Sequence, residues 1–132
     1  SPDFGTYWNT SLGFKGLEKR SAIAYSKLIA KFFNNVKRSN KPFYCVVNIA
    51  DPHKPFFNDM ASRKKGFDTF KPSRIYATDE VEIPAFLPKN PRIKQEMVNY
   101  YNSVKRGDDC VGEIIKALKS SISCVDPCRD NK

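Results

Sequence analysis

The chain has few of the residues on which most site chemistry depends. Among its 132 residues there is a single histidine, so any reaction that needs an imidazole has one candidate, His53. Four cysteines are present, Cys45, Cys110, Cys124 and Cys128, but no Cys/His spacing suits zinc, and no secretory leader licenses a disulfide framework. Cys45 and Cys110 sit inside apolar patterns and read as plain core residues. Apolar runs are only a few residues long, far below the roughly 20 needed to cross a bilayer. The start, Ser1-Pro2-Asp3, has neither an initiator Met nor a charged-then-apolar leader, so it reads as truncated and carries no targeting signal. There is no long polar tract and no internal repeat, which excludes a disordered chain and a solenoid.

What is abundant is positive charge. The net charge of +9 invites a polyanion: nucleic acid, an acidic membrane or a sulfated polysaccharide. The basic residues are nevertheless dispersed in local groups, Lys15 to Arg20, Lys37 to Lys41, Arg63 to Lys65 and Arg92 to Lys94. None forms an uninterrupted basic run or an aromatic-interleaved nucleic-acid signature, so they read as solvated surface charge and nucleic acid is disfavoured.

Along the chain, Ala22, Tyr25, Leu28, Ile29, Phe32, Phe33 and Val36 recur at three- and four-residue spacing, which predicts an amphipathic helix from Leu17 to about Val36. Asn34-Asn35 and Ser39-Asn40 stop it. The run Phe43-Tyr44-Cys45-Val46-Val47-Asn48-Ile49, rich in aromatic and β-branched residues, predicts a strand buried on both faces, and helix then buried strand is half of an α/β crossover. Residues 50–90 hold Pro52, Pro55, Pro72, Pro84 and Pro88 and no sustained period, the profile of a long functional loop. Asn90 as N-cap and Pro91 at the first helical position open a second helix, to about Lys119, on Met97, Tyr100, Tyr101, Val104, Val111, Ile114, Ile115 and Leu118. Gly107 and Gly112 inside it point to a close packing contact or a bend. One strand and two helices do not close a domain, since a lone buried strand leaves its backbone groups unpaired. The chain is thus expected to be part of a larger α/β sheet protein: residues 1–120 a partial domain, residues 121–132 a divergent, disordered tail. The tripeptide Asn9-Thr10-Ser11 fits an N-glycosylation acceptor.

His53 follows the expected strand in Ala50-Asp51-Pro52-His53-Lys54-Pro55-Phe56, at the strand end where open α/β sheets bind ligands. An imidazole there can give a proton or hydrogen bond to a leaving oxygen, and Lys54 adds positive charge for an anionic substrate.

The run from Lys41 to Phe56 resembles the sulfatase segment in which "PFF", an apolar strand and "DPH-basic-P-F" occur in that order. Downstream, Ile83-Pro84-Ala85-Phe86-Leu87-Pro88 and then Tyr100-Tyr101-Asn102-Ser103-Val104-Lys105-Arg106-Gly107-Asp108-Asp109-Cys110-Val111-Gly112-Glu113-Ile114 resemble the family's proline-bracketed loop and "YY-x-SV-x-R-x-D-x-x-VG-x-I". The resemblance covers roughly residues 14 to 119 and is nearest to the heparan N-sulfatase and iduronate sulfatase type. It implies an alkaline-phosphatase-like α/β fold and hydrolysis of sulfate esters or sulfamates through a formylglycine hydrate assisted by Ca²⁺. It also implies a sulfated substrate, glycosaminoglycan among the candidates, and a lysosomal or secreted location. His53 matches the histidine that contacts the sulfate and the leaving oxygen, Lys54 a basic substrate-side position, and Arg106 and Asp108 helix positions taken as structural.

The departures from the family pattern bear on competence. No cysteine here satisfies the C/S-x-P-x-R nucleophile signature: Cys45 is followed by Val46-Val47-Asn48, and Cys124 by Val125-Asp126-Pro127. Asp108-Asp109 sits mid-helix and fits neither calcium motif, so no metal ligand is assigned, and the isolated chain is expected to be inactive without the remainder of its parent domain. Two other readings stay open: a non-catalytic basic module for sulfated polysaccharide or nucleic acid, and a fragment of a related phosphodiester or phosphonate hydrolase.

Overall fold

A computed structural model describes residues 12–14, 16–39 and 42–122. Asn9, Cys124 and Cys128, with almost all of the 121–132 tail, lie outside the described residues. The described elements are a 3₁₀ segment Gly16–Arg20, helix α1 Ala22–Ser39, a short helix α2 Met60–Lys64, a 3₁₀ turn Phe67–Thr69 and the long helix α3 Pro91–Ile122.

The first expected helix is split at Ser21. Its backbone carbonyl accepts from Tyr25 N–H at 3.1 Å and its hydroxyl accepts from Ala24 N–H at 3.2 Å, so Ser21 is the N-cap that starts α1 afresh. From there the periodicity holds: Tyr25, Ile29 and Phe33, four residues apart, are the buried stripe of α1, and α1 packs on α3.

The start of α3 is also as expected. Asn90 Oδ1 accepts from Ile93 N–H at 2.9 Å, and Asn90 O accepts from Lys94 N–H at 3.0 Å, satisfying two donors of the first turn. The face it buries is a different matter. Of the eight apolar residues that gave the period, Tyr100, Tyr101, Val104, Val111 and Ile115 are exposed and the other three only half-buried, whereas Asn99, Asn102, Ser103, Arg106 and Cys110 are buried, with Val98 beside them. The inward stripe of α3 is polar because it faces loop backbone, which needs hydrogen-bond partners once removed from water.

The strand expected over Phe43–Ile49 does not form, and no strand is present among the described residues, so the α/β assignment is not realised there. Residues 42–50 run without helix or strand, with Tyr44 79% and Val46 49% exposed. The reason is physical: a strand exists only by pairing, and these residues have no described neighbour to pair with. Cys45, expected in the core, is only half-buried, while Cys110 is fully buried.

Candidate functional site

The loop after residue 50 is laid along the polar stripe of α3. Ser103 Oγ accepts from Phe57 N–H at 2.6 Å, Asn102 Oδ1 accepts from Tyr76 N–H at 2.7 Å, and Asn99 Nδ2 donates to Asp59 Oδ1 at 2.8 Å. Arg106 donates through Nη1 to the carbonyls of Phe67 at 2.9 Å and Phe70 at 3.1 Å. Four side chains of one helix thereby fix a stretch of loop that has little regular structure of its own.

At the centre lies Asp51, its side chain fully buried between two arginines. Arg106 donates from Nε to Asp51 Oδ2 at 2.7 Å and from Nη2 to Oδ1 at 3.0 Å, a bidentate fork. Arg20 Nη1 donates to the same Oδ1, and the Arg20 guanidinium lies 4.8 Å from the Phe67 ring centre. Burial pulls the Arg20 guanidinium below its ordinary value and the neighbouring Arg106 adds to this, while Asp51 opposes both. Arg20 is therefore the exception to the expectation that the basic groups are solvated surface charge: it is 2% exposed. Gly107 packs directly on Asp51: a Cβ there would stand 3.4 Å from both Asp51 Cβ and Asp51 O, at the close edge of ordinary van der Waals contact. At Gly112, expected to act likewise, a Cβ would meet nothing within 4 Å.

His53 is carried out of this clasp into solvent. Its N–H donates to Ala50 O at 3.0 Å, closing a tight turn, and its carbonyl accepts from Arg20 Nη2 at 2.9 Å. Nδ1 of the ring stands 2.6 Å from Lys54 O. A carbonyl can only accept, so Nδ1 carries the proton and Nε2 is the other nitrogen of the exposed ring. In the neutral ring Nε2 accepts; in the imidazolium it donates, as protonation of a leaving oxygen requires.

Lys54, assigned with His53 to substrate, is turned elsewhere. Its ammonium pairs with Glu96 on α3 and lies 5.1 Å from the Phe56 ring centre. The hydrogen bond to Glu96 raises its pKa above the ordinary lysine value, so it stays charged, and an exposed pair of this kind is weak enough to exchange for an anion. A cavity of about 530 Å³ opens away from the imidazole, between α1 and residues 44–50, and is lined by apolar groups such as Leu28, Phe32 and Val46.

The family model described as Sulfatase matches residues 2–123. The chain belongs to the sulfatase family. It matches no curated protein and no solved structure. Family membership implies the alkaline-phosphatase-like fold, of which the described residues supply helices and loop.

The groups that sulfatases generally use do not fit the residues described. No cluster of three or more His, Cys, Asp or Glu able to hold a metal ion occurs among them. Asp51 is consumed by two guanidiniums, while Asp109 accepts from Ser73 and Lys105 and Asp108 from Lys105. For a formylglycine the described cysteines are equally unsuited: Cys45 is followed by Val46-Val47-Asn48 and Cys110 by Val111-Gly112-Glu113, and neither begins a C/S-x-P-x-R sequence.

Reasoning from sequence alone missed Asp51 and Arg20 as the anchor of the His53 loop. Asp51 was in view only as a letter of the Asp-Pro-His motif. Arg20 lies 31 residues earlier in the chain, in a lysine-rich stretch whose charge is no local signal of burial.

Proposed function

We propose that this chain is part of a sulfatase that hydrolyses sulfate esters or sulfamates, with His53 as the group that serves the leaving oxygen and Lys54 as a substrate-side cation. The observation that carries this reading is the placement of the one imidazole of a sulfatase-family chain: the ring is exposed with Nδ1 engaged by Lys54 O, while its backbone is tied to a buried Asp–Arg clasp. Fixed orientation is what a general acid requires. Nucleophile and metal ligands come, in this reading, from the remainder of the parent domain, and the heparan N-sulfatase or iduronate sulfatase type, a glycosaminoglycan substrate and a lysosomal or secreted location belong to the same proposal.

The test uses the single histidine as reporter. Titration of the full chain with an aryl sulfate is expected to shift the His53 ring resonances and to produce no turnover. Sulfate released from the ester would overturn the claim that this chain lacks a nucleophile, and a His53 signal indifferent to the ester would overturn its role. The net charge of +9 supports a second reading, a basic module for sulfated polysaccharide. Binding that falls steeply with salt and is unchanged in His53→Ala would favour it.

A further inference from the structure

We infer that Arg20 is a positioning residue for His53, acting through the histidine's own peptide group and fixing which ring nitrogen faces the substrate. The inference rests on the sulfatase reading for its functional meaning, but its geometry is independent of it.

Arg20 does two things with two nitrogens. Nη1 meets the Asp51 carboxylate, and Nη2 donates to the His53 carbonyl at 2.9 Å. The first is also done, bidentately, by Arg106, so the Asp51 charge is already answered without Arg20. A second buried guanidinium places a further positive charge beside Arg106, with Asp68 adding only a weaker opposite charge than Asp51, and burial penalises such an arrangement. Neutralising Asp51 is therefore not a sufficient reason for Arg20 to be there.

The contact that Arg106 does not make is the one to His53 O. That oxygen belongs to the peptide joining His53 to Lys54, so holding it fixes the plane of this peptide; Lys54 O lies one residue on, across the φ and ψ of Lys54, whose backbone the following Pro55 restricts. Lys54 O is the acceptor for His53 Nδ1 at 2.6 Å. The chain of cause runs from Arg20 Nη2, through the 53–54 peptide, to Lys54 O and then to the proton on Nδ1. Nε2 is left unprotonated in the neutral ring as a result. Free histidine favours the opposite tautomer, with the proton on Nε2, so the ring state is a signature of this arrangement and not a default.

The discriminating variant is Arg20→Lys. It keeps a positive charge near Asp51 but offers one nitrogen on a shorter reach in place of a planar fork. The measurement is ¹⁵N NMR of the His53 ring in the full chain near pH 8, beside a thermal melt and a titration with inorganic sulfate. Wild type is expected to show the Nδ1–H pattern. In Arg20→Lys the fold is expected to survive while the pattern moves to the Nε2–H form of free histidine and the sulfate-induced shift is lost. A folded Arg20→Lys that retains the wild-type tautomer overturns the proposal, because charge alone would then suffice. If Arg20→Lys does not fold, wild type decides: a scalar coupling between Arg20 Nη2 and the His53 carbonyl carbon, together with the Nδ1–H pattern, supports the proposal, and absence of either overturns it. A wild-type ring that is Nδ1–H yet indifferent to sulfate would leave the positioning role standing and defeat the sulfatase reading instead.

Discussion

Residues 42–49 and 51–59 adjoin in the chain and are held in opposite ways. In the first stretch Phe43, Tyr44, Val46 and Val47 expose their side chains, and no strand or helix forms. In the second, Asp51, His53, Lys54, Phe56, Phe57 and Asp59 each have a polar contact, several of them to α3. The difference lies in where the partners are. Polar groups of the second stretch are met by side chains of α1's approach and of α3, so that its shape is encoded within these residues. Apolar side chains of the first are covered only in part: Phe43 meets the Phe32 and Phe33 rings at 5.7 and 5.6 Å and Val46 lines the cavity against α1, yet both stay about half exposed.

The sharpest way to break this comparison is to remove the charge at its hinge. Asp51→Asn leaves two buried guanidiniums facing a neutral amide. Loss of one member of a buried ion cluster costs on the order of 3–5 kcal/mol, a large share of the about 5–15 kcal/mol that stabilises an ordinary domain. Urea unfolding followed by far-ultraviolet circular dichroism should show a midpoint far below wild type. An unchanged midpoint would mean that the second stretch is not held by this clasp.

How much of this was legible beforehand follows from the range of each signal. The start of α3 was readable because Asn90-Pro91 is a local cap, and the helical period of α1 because Tyr25, Ile29 and Phe33 repeat on one face. His53 was readable as the one imidazole in a proline-flanked motif. The buried face of α3 was not, because apolar periodicity names the stripe that can be buried, and here the loop's backbone recruits the polar one, Asn99, Asn102, Ser103 and Arg106. The strand expected over Phe43–Ile49 is not formed among the described residues for a related reason: β character in the sequence states what a segment does when paired, and pairing is set by residues far away or elsewhere. The Arg20–Asp51 contact had no local signature at all.

A smaller effect is expected where the two stretches meet. Tyr25, buried on α1, accepts Ala50 N–H at 3.3 Å through its hydroxyl, which also lies 3.1 Å from both Asn48 O and Lys19 O. One hydroxyl has one proton, so it donates to one of these carbonyls at a time. Tyr25→Phe keeps the ring and strands the Ala50 donor and a carbonyl, which should cost about 1–3 kcal/mol by the same unfolding measurement. A cost near zero would show that the junction at Asn48–Ala50 is loose, and that the ordered stretch begins only at Asp51.

The smallest effect on stability should come from the partly covered stretch itself. Val46 is 49% exposed, so Val46→Lys removes little buried apolar area and should move the unfolding free energy by no more than about 0.5 kcal/mol. Solution behaviour should change more, because an exposed run of aromatic and β-branched residues is a template for pairing with another chain, and a lysine within it opposes such pairing. Light scattering at rising protein concentration is therefore expected to show less self-association for Val46→Lys than for wild type, at equal stability. A destabilisation as large as that of Tyr25→Phe would place Val46 in a core. The two stretches would then be alike, and the contrast between a self-sufficient loop and a strand in need of a sheet would not hold.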